Sequence, residues 1–194
     1  MIEKESGERL SHYDEAGQAH MVDVSAKAET RREAVASAFV ELSEAVLAAL
    51  PQNPKGNPLE VARFAGIAAA KRTAELIPMC HTLPLSYIEV AADVCENGVR
   101  IASSVSTSAQ TGVEMEALVA AGIAALTVYD MCKALDKGIR IRELVLESKT
   151  GGRSGDYVRT SEVTALRKKI KTVKTVQKTT KKGKVSVRPL RRKV

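Results

Sequence analysis

Seven ionisable residues stand where neither helix nor strand propensity requires them: Lys55, His81, Glu114, Glu116, Asp130, Lys133 and Lys149. Asp130 and Lys133 are three positions apart, which on a helix puts them on one face, either as a proton-handling pair or as a surface ion pair. Glu114 follows Thr111 at the spacing of a capping box, so it serves the start of a helix or chemistry. The stretch Lys149-Thr-Gly-Gly-Arg-Ser-Gly-Asp156 offers two cations and exposed backbone N–H groups. Such a loop holds phosphate or acts as a flexible exit linker, and it lacks the spacing of a P-loop. His81 has no second histidine at metal-ligand spacing, since His12 and His20 lie far upstream. A satisfied structural histidine therefore competes with a catalytic one, and no metal site is expected.

The elements that must position these groups follow from periodicity. His20–Ser25 alternates and predicts a first strand. Thr30 with Glu33 makes a capping box, and Val35, Ala38, Phe39, Leu42 and Val46 at helical spacing predict a helix over Thr30–Leu50, before Pro51. A turn-rich loop with Lys55-Gly56 follows, and Asn57 as cap with Pro58 at the first helical position opens a helix running to Ile77. Pro78 and Pro84 bracket a stiff loop that presents Cys80 and His81. Leu85–Val94 and Val99–Thr107 alternate around Asn97-Gly98, a strong hairpin signal. Thr111 opens a long helix that ends near Gly138, and Ile139–Leu146 is the last strand. This is an α+β plan, a ferredoxin-like antiparallel sheet covered by helices, with one helix added and a disordered basic C-terminal tail. The pentapeptide Ala-Gly-Ile-Ala-Ala occurs at 65–69 and 121–125, which suggests helices packed closely enough to exclude side chains.

The 194 residues carry a net charge of +7, but that charge is unevenly placed. Residues 1–159 hold 17 Lys+Arg against 22 Asp+Glu, and residues 160–194 hold 13 against 1. Nucleic acid is thus not a partner of the body. Any such binding is confined to the tail and limited to phosphate contacts, because no aromatic residue there can stack on bases. Three cysteines, Cys80, Cys95 and Cys132, show no C-x-x-C spacing and cannot all pair, which points to a reducing cytoplasm. Met1–Leu10 lacks the apolar core of a signal peptide. The longest apolar run, Ala117–Val128, is broken by Gly122 and Thr127 and is too short to span a bilayer, so no membrane association is expected.

Glu114 and Asp130 are 16 positions apart on one predicted helix, about 24 Å at the α-helical rise. One chain cannot bring both to a small ligand. If they serve one site, two subunits build it.

Five stretches together resemble the MoaC family of cyclic pyranopterin monophosphate synthases: His20-Met-Val-Asp-Val-Ser-Ala-Lys27, Ile77-Pro-Met-Cys-His-Thr-Leu-Pro84, Thr111-Gly-Val-Glu-Met-Glu-Ala-Leu118, Ala125-Leu-Thr-Val-Tyr-Asp-Met-Cys-Lys133 and Lys149–Asp156. The resemblance runs from about Gly17 to Tyr157 and stops there. It implies a 1–19 extension, a synthase-like domain over 20–157 and a basic tail over 158–194. The implied activity is that of a lyase in molybdenum-cofactor biosynthesis, which takes cyclised dihydro-GTP, releases pyrophosphate and closes a cyclic phosphate while the base becomes a pterin. No cofactor is implied. The implied assembly is a homohexamer, a trimer of dimers, with sites at subunit interfaces. Carried over by motif, Asp130, Lys133 and Lys55 are catalytic; Met79, Cys80, His81, Glu114 and Met115 contact substrate; Lys149, with Arg32 and Lys71, faces phosphates. Clustered lysines are expected to lower one another's pKa by like-charge repulsion.

Overall fold

The computed structural model describes residues 12–13 and 16–159. Its central strand is the stretch whose spacing predicts the first helix: β1 spans Thr30–Glu41, and only Glu44–Ala49 (α1) is α-helical, followed by a 3-10 turn at Leu50–Gln52. The reason lies in two superposed periods. Val35, Ala38, Phe39 and Leu42 fit a helix, but Ala34, Ala36, Ala38 and Val40 also alternate, and all four are buried. Small apolar residues placed this closely satisfy either period, so periodicity alone does not separate the strand from a helix. The predicted first strand, His20–Ser25, is not a strand; it has no ladder partner among the described residues and is held where Val22 accepts a hydrogen bond from His81.

Helix α2 spans Pro58–Ala70, and the Asn57 side chain accepts from the Leu59 and Glu60 N–H groups, as the cap signal predicts. It does not continue to Ile77. Arg72 leaves helical geometry, and the short α3, Thr73–Leu76, precedes the Pro78 loop. The hairpin forms from β2, Leu85–Cys95, and β3, Gly98–Ala109, with Cys95 opposite Gly98. Helix α4 is Glu114–Cys132, ending six residues before Gly138, and Val113 occupies its N-cap without a side-chain bond, so the Thr111/Glu114 capping box does not form. Strand β4 covers Arg140–Thr150, longer than predicted, and a two-residue β5, Tyr157–Val158, pairs with it.

The sheet order is β2-β3-β1-β4-β5 with every pair antiparallel. Setting aside the short β5, this is the ferredoxin-like arrangement, with α2 and α4 packed on the sheet. The core between them is built from small residues. Ala117, Ala120, Ala121, Ala124, Ala125 and Val128 of α4 are fully buried, and the Ser103 hydroxyl reaches the Ala117 carbonyl at 2.7 Å. A Cβ on Gly66 would stand 2.8 Å from the Ala120 carbonyl oxygen, so the first pentapeptide glycine does mark a close helix–helix contact. The second, Gly122, faces the Leu144 side chain of β4 instead. At 19 residues α4 is long and apolar enough to cross a bilayer, which the shorter run read from the sequence is not, but half of that window is buried inside this fold. Most of the 1–19 extension, and the expected disordered tail from residue 160 onward, lie outside the described residues.

Candidate active site

The C-terminal end of α4 carries one group of candidates. Lys133 caps the helix, and its Nζ lies 2.6 Å from Asp130 Oδ1. Lys55 arrives from a turn in which the Gly56 N–H reaches the Asn53 carbonyl at 3.0 Å and Asn53 Oδ1 accepts from the Lys55 N–H at 2.9 Å. The Lys55 amine donates to the Asp130 carbonyl at 3.2 Å and sits 3.7 Å from Oδ2. Two ammonium groups thus flank one carboxylate, all three well exposed. The hydrogen bond and charge of Lys133, then the charge of Lys55, hold the Asp130 carboxyl below its ordinary range. The same contact pushes the Lys133 amine up, opposite to the lowering expected for it beside a second lysine. The Asp130 carboxylate lies 2.6 Å from the Lys133 amine, and its hydrogen bond and charge are the largest influences on that amine.

The N-terminal end of α4 carries the others, around two adjoining clefts of about 560 and 600 Å³ that share Lys27, Thr111, Gly112 and Glu114. Met79, Cys80, His81, Met115 and Glu116 line the first. Arg32, Gln110, Lys149, Gly152, Arg153 and Ser154 line the second. Glu114 Oε1 lies 3.6 Å from the Lys149 amine, which also donates to the Ser154 hydroxyl. The glycine-rich stretch is no exit linker: it is the turn between β4 and β5, closed by Gly151 N–H donating to Asp156 Oδ1 at 3.1 Å. Gly151 and Gly152 both have φ near +85°, which L side chains rarely adopt. A Cβ on Gly152 would stand 2.1 Å from Arg32 Nη1, so the turn is fitted around that guanidinium. Arg32 Nη2 donates to the Gln110 carbonyl at 3.0 Å, while its buried Nε has no hydrogen-bond partner among the described residues.

His81 is a satisfied structural histidine that also borders the first cleft. Its Nε2 donates to the Val22 carbonyl at 2.9 Å, a structural bond, and its ring is still part of the cleft wall. Glu116, only 4 % exposed, was visible in the sequence as an ionisable group but not as a site residue. Burial pushes its carboxyl up and the Glu114 charge adds to this. Burial, then Glu116, likewise pushes the Cys80 thiol up, so Cys80 is a neutral polar wall rather than a thiolate nucleophile. Lys27 and Arg153 also line the clefts; both lie within the quoted motifs, the signal that could have singled them out. Lys71, exposed at the end of α2, lines neither cleft. Among the described residues no group of three or more His, Cys, Asp or Glu comes together to hold a metal ion. Apart from Lys71, the candidate residues therefore fall into two sets at opposite ends of one helix.

Comparison with known proteins bears on the same residues. Residues 21–152 match the MoaC family. A cyclic pyranopterin monophosphate synthase of Nostoc sp. is 55 % identical over 152 residues, covering 76 % of this chain and 90 % of that protein. The protein of the same name from Chloroflexus aurantiacus is 53 % identical over 159 residues, 80 % of this chain and 98 % of its own length. That of Chloroflexus aggregans is 54 % identical over 156 residues, with 78 % and 94 % covered.

Proposed function

The chain belongs to the MoaC family, and from that membership we infer that it carries out the cyclic pyranopterin monophosphate synthase reaction of molybdenum-cofactor biosynthesis. As a lyase it takes cyclised dihydro-GTP to cyclic pyranopterin monophosphate and pyrophosphate. The observation that supports this reading is the arrangement along α4: a cleft lined by Lys27, Arg32, Lys149 and Arg153 at one end and a Lys–Asp–Lys cluster at the other.

In the cleft, Arg32, Lys149 and Arg153 with the backbone of the glycine turn receive the triphosphate, whereas Lys71, which lines neither cleft, has no part in this scheme. Cations there stabilise the negative charge that grows on the departing pyrophosphate. Glu114 and Glu116 accept from the N–H groups of the guanine-derived edge, beside Met79, Cys80, His81 and Met115. Opening and closing rings moves protons, which needs donors and acceptors within hydrogen-bond reach. Asp130 remains ionised and keeps Lys133 an ammonium, so Lys133 enters as the proton donor and Lys55 completes the relay. The two sets are too far apart for one substrate, so a second copy supplies the missing half; the resemblance to the family adds that the assembly is a homohexamer, a trimer of dimers, and the reading places it in the cytoplasm.

The test is direct. Purified protein incubated with cyclised dihydro-GTP is expected to release pyrophosphate and form the pterin in equal amounts. Tight binding of that compound without either product would replace this reading by nucleotide binding alone.

A further inference from the structure

Every helix leaves its last carbonyls without partners of its own, and at the end of α4 they can be followed one by one. Tyr129 accepts from the Lys133 N–H at 2.8 Å and Cys132 from the Leu135 N–H at 2.9 Å. The two carbonyls between them are met from a different part of the chain: Asp130 by the Lys55 amine at 3.2 Å and Met131 by Asn53 Nδ2 at 2.9 Å. Asn53 acts at both ends of its carboxamide. While Nδ2 holds the helix, Oδ1 accepts from the Lys55 N–H at 2.9 Å, and the Asn53 carbonyl accepts from Gly56 to close the turn.

The ion pair alone does not hold Lys55 in place. Its amine is 3.7 Å from the Asp130 carboxylate, and both side chains are about half exposed. Pairs of that kind contribute little and are screened by salt, and the lysine stem is long and flexible. The bonds of Asn53 are to backbone groups, are neutral and fix the base of that stem. We propose that Asn53 is a positioning residue: its carboxamide ties the Lys55 turn to the end of α4 and so sets where the Lys55 amine is delivered. The catalytic consequence rests on the proton-transfer role proposed for Lys55; the tether itself does not.

The experiment reads both. In the full chain, pulse acetylation followed by peptide mass spectrometry gives the labelling rate of the Lys55 amine, and turnover of cyclised dihydro-GTP is measured alongside. Asn53→Ala is expected to raise Lys55 labelling severalfold, and to lower kcat about tenfold with KM within about twofold. In a Lys55→Ala background, Asn53→Ala is expected to cost nothing further, because the group it positions is gone. Asn53→Asp keeps the acceptor for the Lys55 N–H and loses the donor to Met131, and it repeats the measurement should the alanine variant not fold. Unchanged Lys55 labelling, or an undiminished further loss in the Lys55→Ala background, overturns the inference. A Lys55→Ala enzyme with normal turnover would remove the catalytic role of Lys55, and the labelling rate would still decide the tether.

Discussion

The two ends of α4 handle charge in opposite ways. At the C-terminal end Asp130, Lys133 and Lys55 stand in solvent, and the charged forms of Asp130 and Lys133 are favoured. At the N-terminal end Glu116 is buried and Cys80 half-buried, and their neutral forms are favoured. Solvated ions within reach of one another are suited to passing protons, whereas a half-enclosed cleft rimmed by Arg32, Lys149 and Arg153 is suited to gripping a polyanion. The difference also shows in how each end is built. The first needs one helix turn and one loop; the second draws on β1, β4, the Pro78 loop, the turn before β5 and the start of α4.

Breaking the C-terminal end should do most. Asp130→Ala and Lys133→Ala are each expected to lower pyrophosphate release by at least about a hundredfold, the usual scale of losing a positioned acid or base, with substrate affinity little changed. Equal loss in affinity and rate would place these residues in binding instead. Next comes the pairing of the two ends. Inactive Asp130→Ala and inactive Lys149→Ala protein, dissociated and reassociated together, should recover about a quarter of wild-type turnover if each site takes one end from each of two copies. No recovery would confine the site to a single chain.

A smaller effect belongs to the cleft alone. Gly152→Ala would drive a Cβ into the Arg32 guanidinium at a φ that alanine disfavours, so KM is expected to rise about tenfold with kcat less affected. Measuring both constants separates this from loss of fold.

The smallest effect is on stability against pH, and its sign differs between the ends. Asp130, with its pKa lowered, contributes stability that is present above the ordinary carboxylate range and lost as pH falls through its folded value; Lys133, with its pKa raised, contributes stability lost only as pH rises past the ammonium range. That pair is therefore silent near neutrality. Glu116, with its pKa raised, makes the native state hold its proton longer than the unfolded chain does, so stability falls as pH rises from the ordinary carboxylate value through the raised one. Glu116→Gln is expected to flatten that decline, read as Tm between about pH 5 and about pH 7. An unchanged slope would mean that Glu116 titrates like a solvated carboxylate.

How much of this was legible beforehand depends on the distance over which each feature is decided. The β2–β3 hairpin, the Asn57-Pro58 start of α2 and the face shared by Asp130 and Lys133 were all readable, because turn chemistry, capping and helical spacing act within a few residues. So was the separation of Glu114 from Asp130, which needs only the rise of a helix. The identity of β1 was not: a run of buried alanines and valines suits a helix as well as a central strand, and only pairing with β3 and β4 chooses between them. The same holds for the glycine turn around Arg32, separated by more than 100 positions in sequence, and for Asn53 reaching Met131 across 78. Residue types and short spacings dictate which chemistry is present and the local elements that carry it. Long-range backbone pairing and close packing decide which of those groups meet, because they depend on what the rest of the chain places alongside.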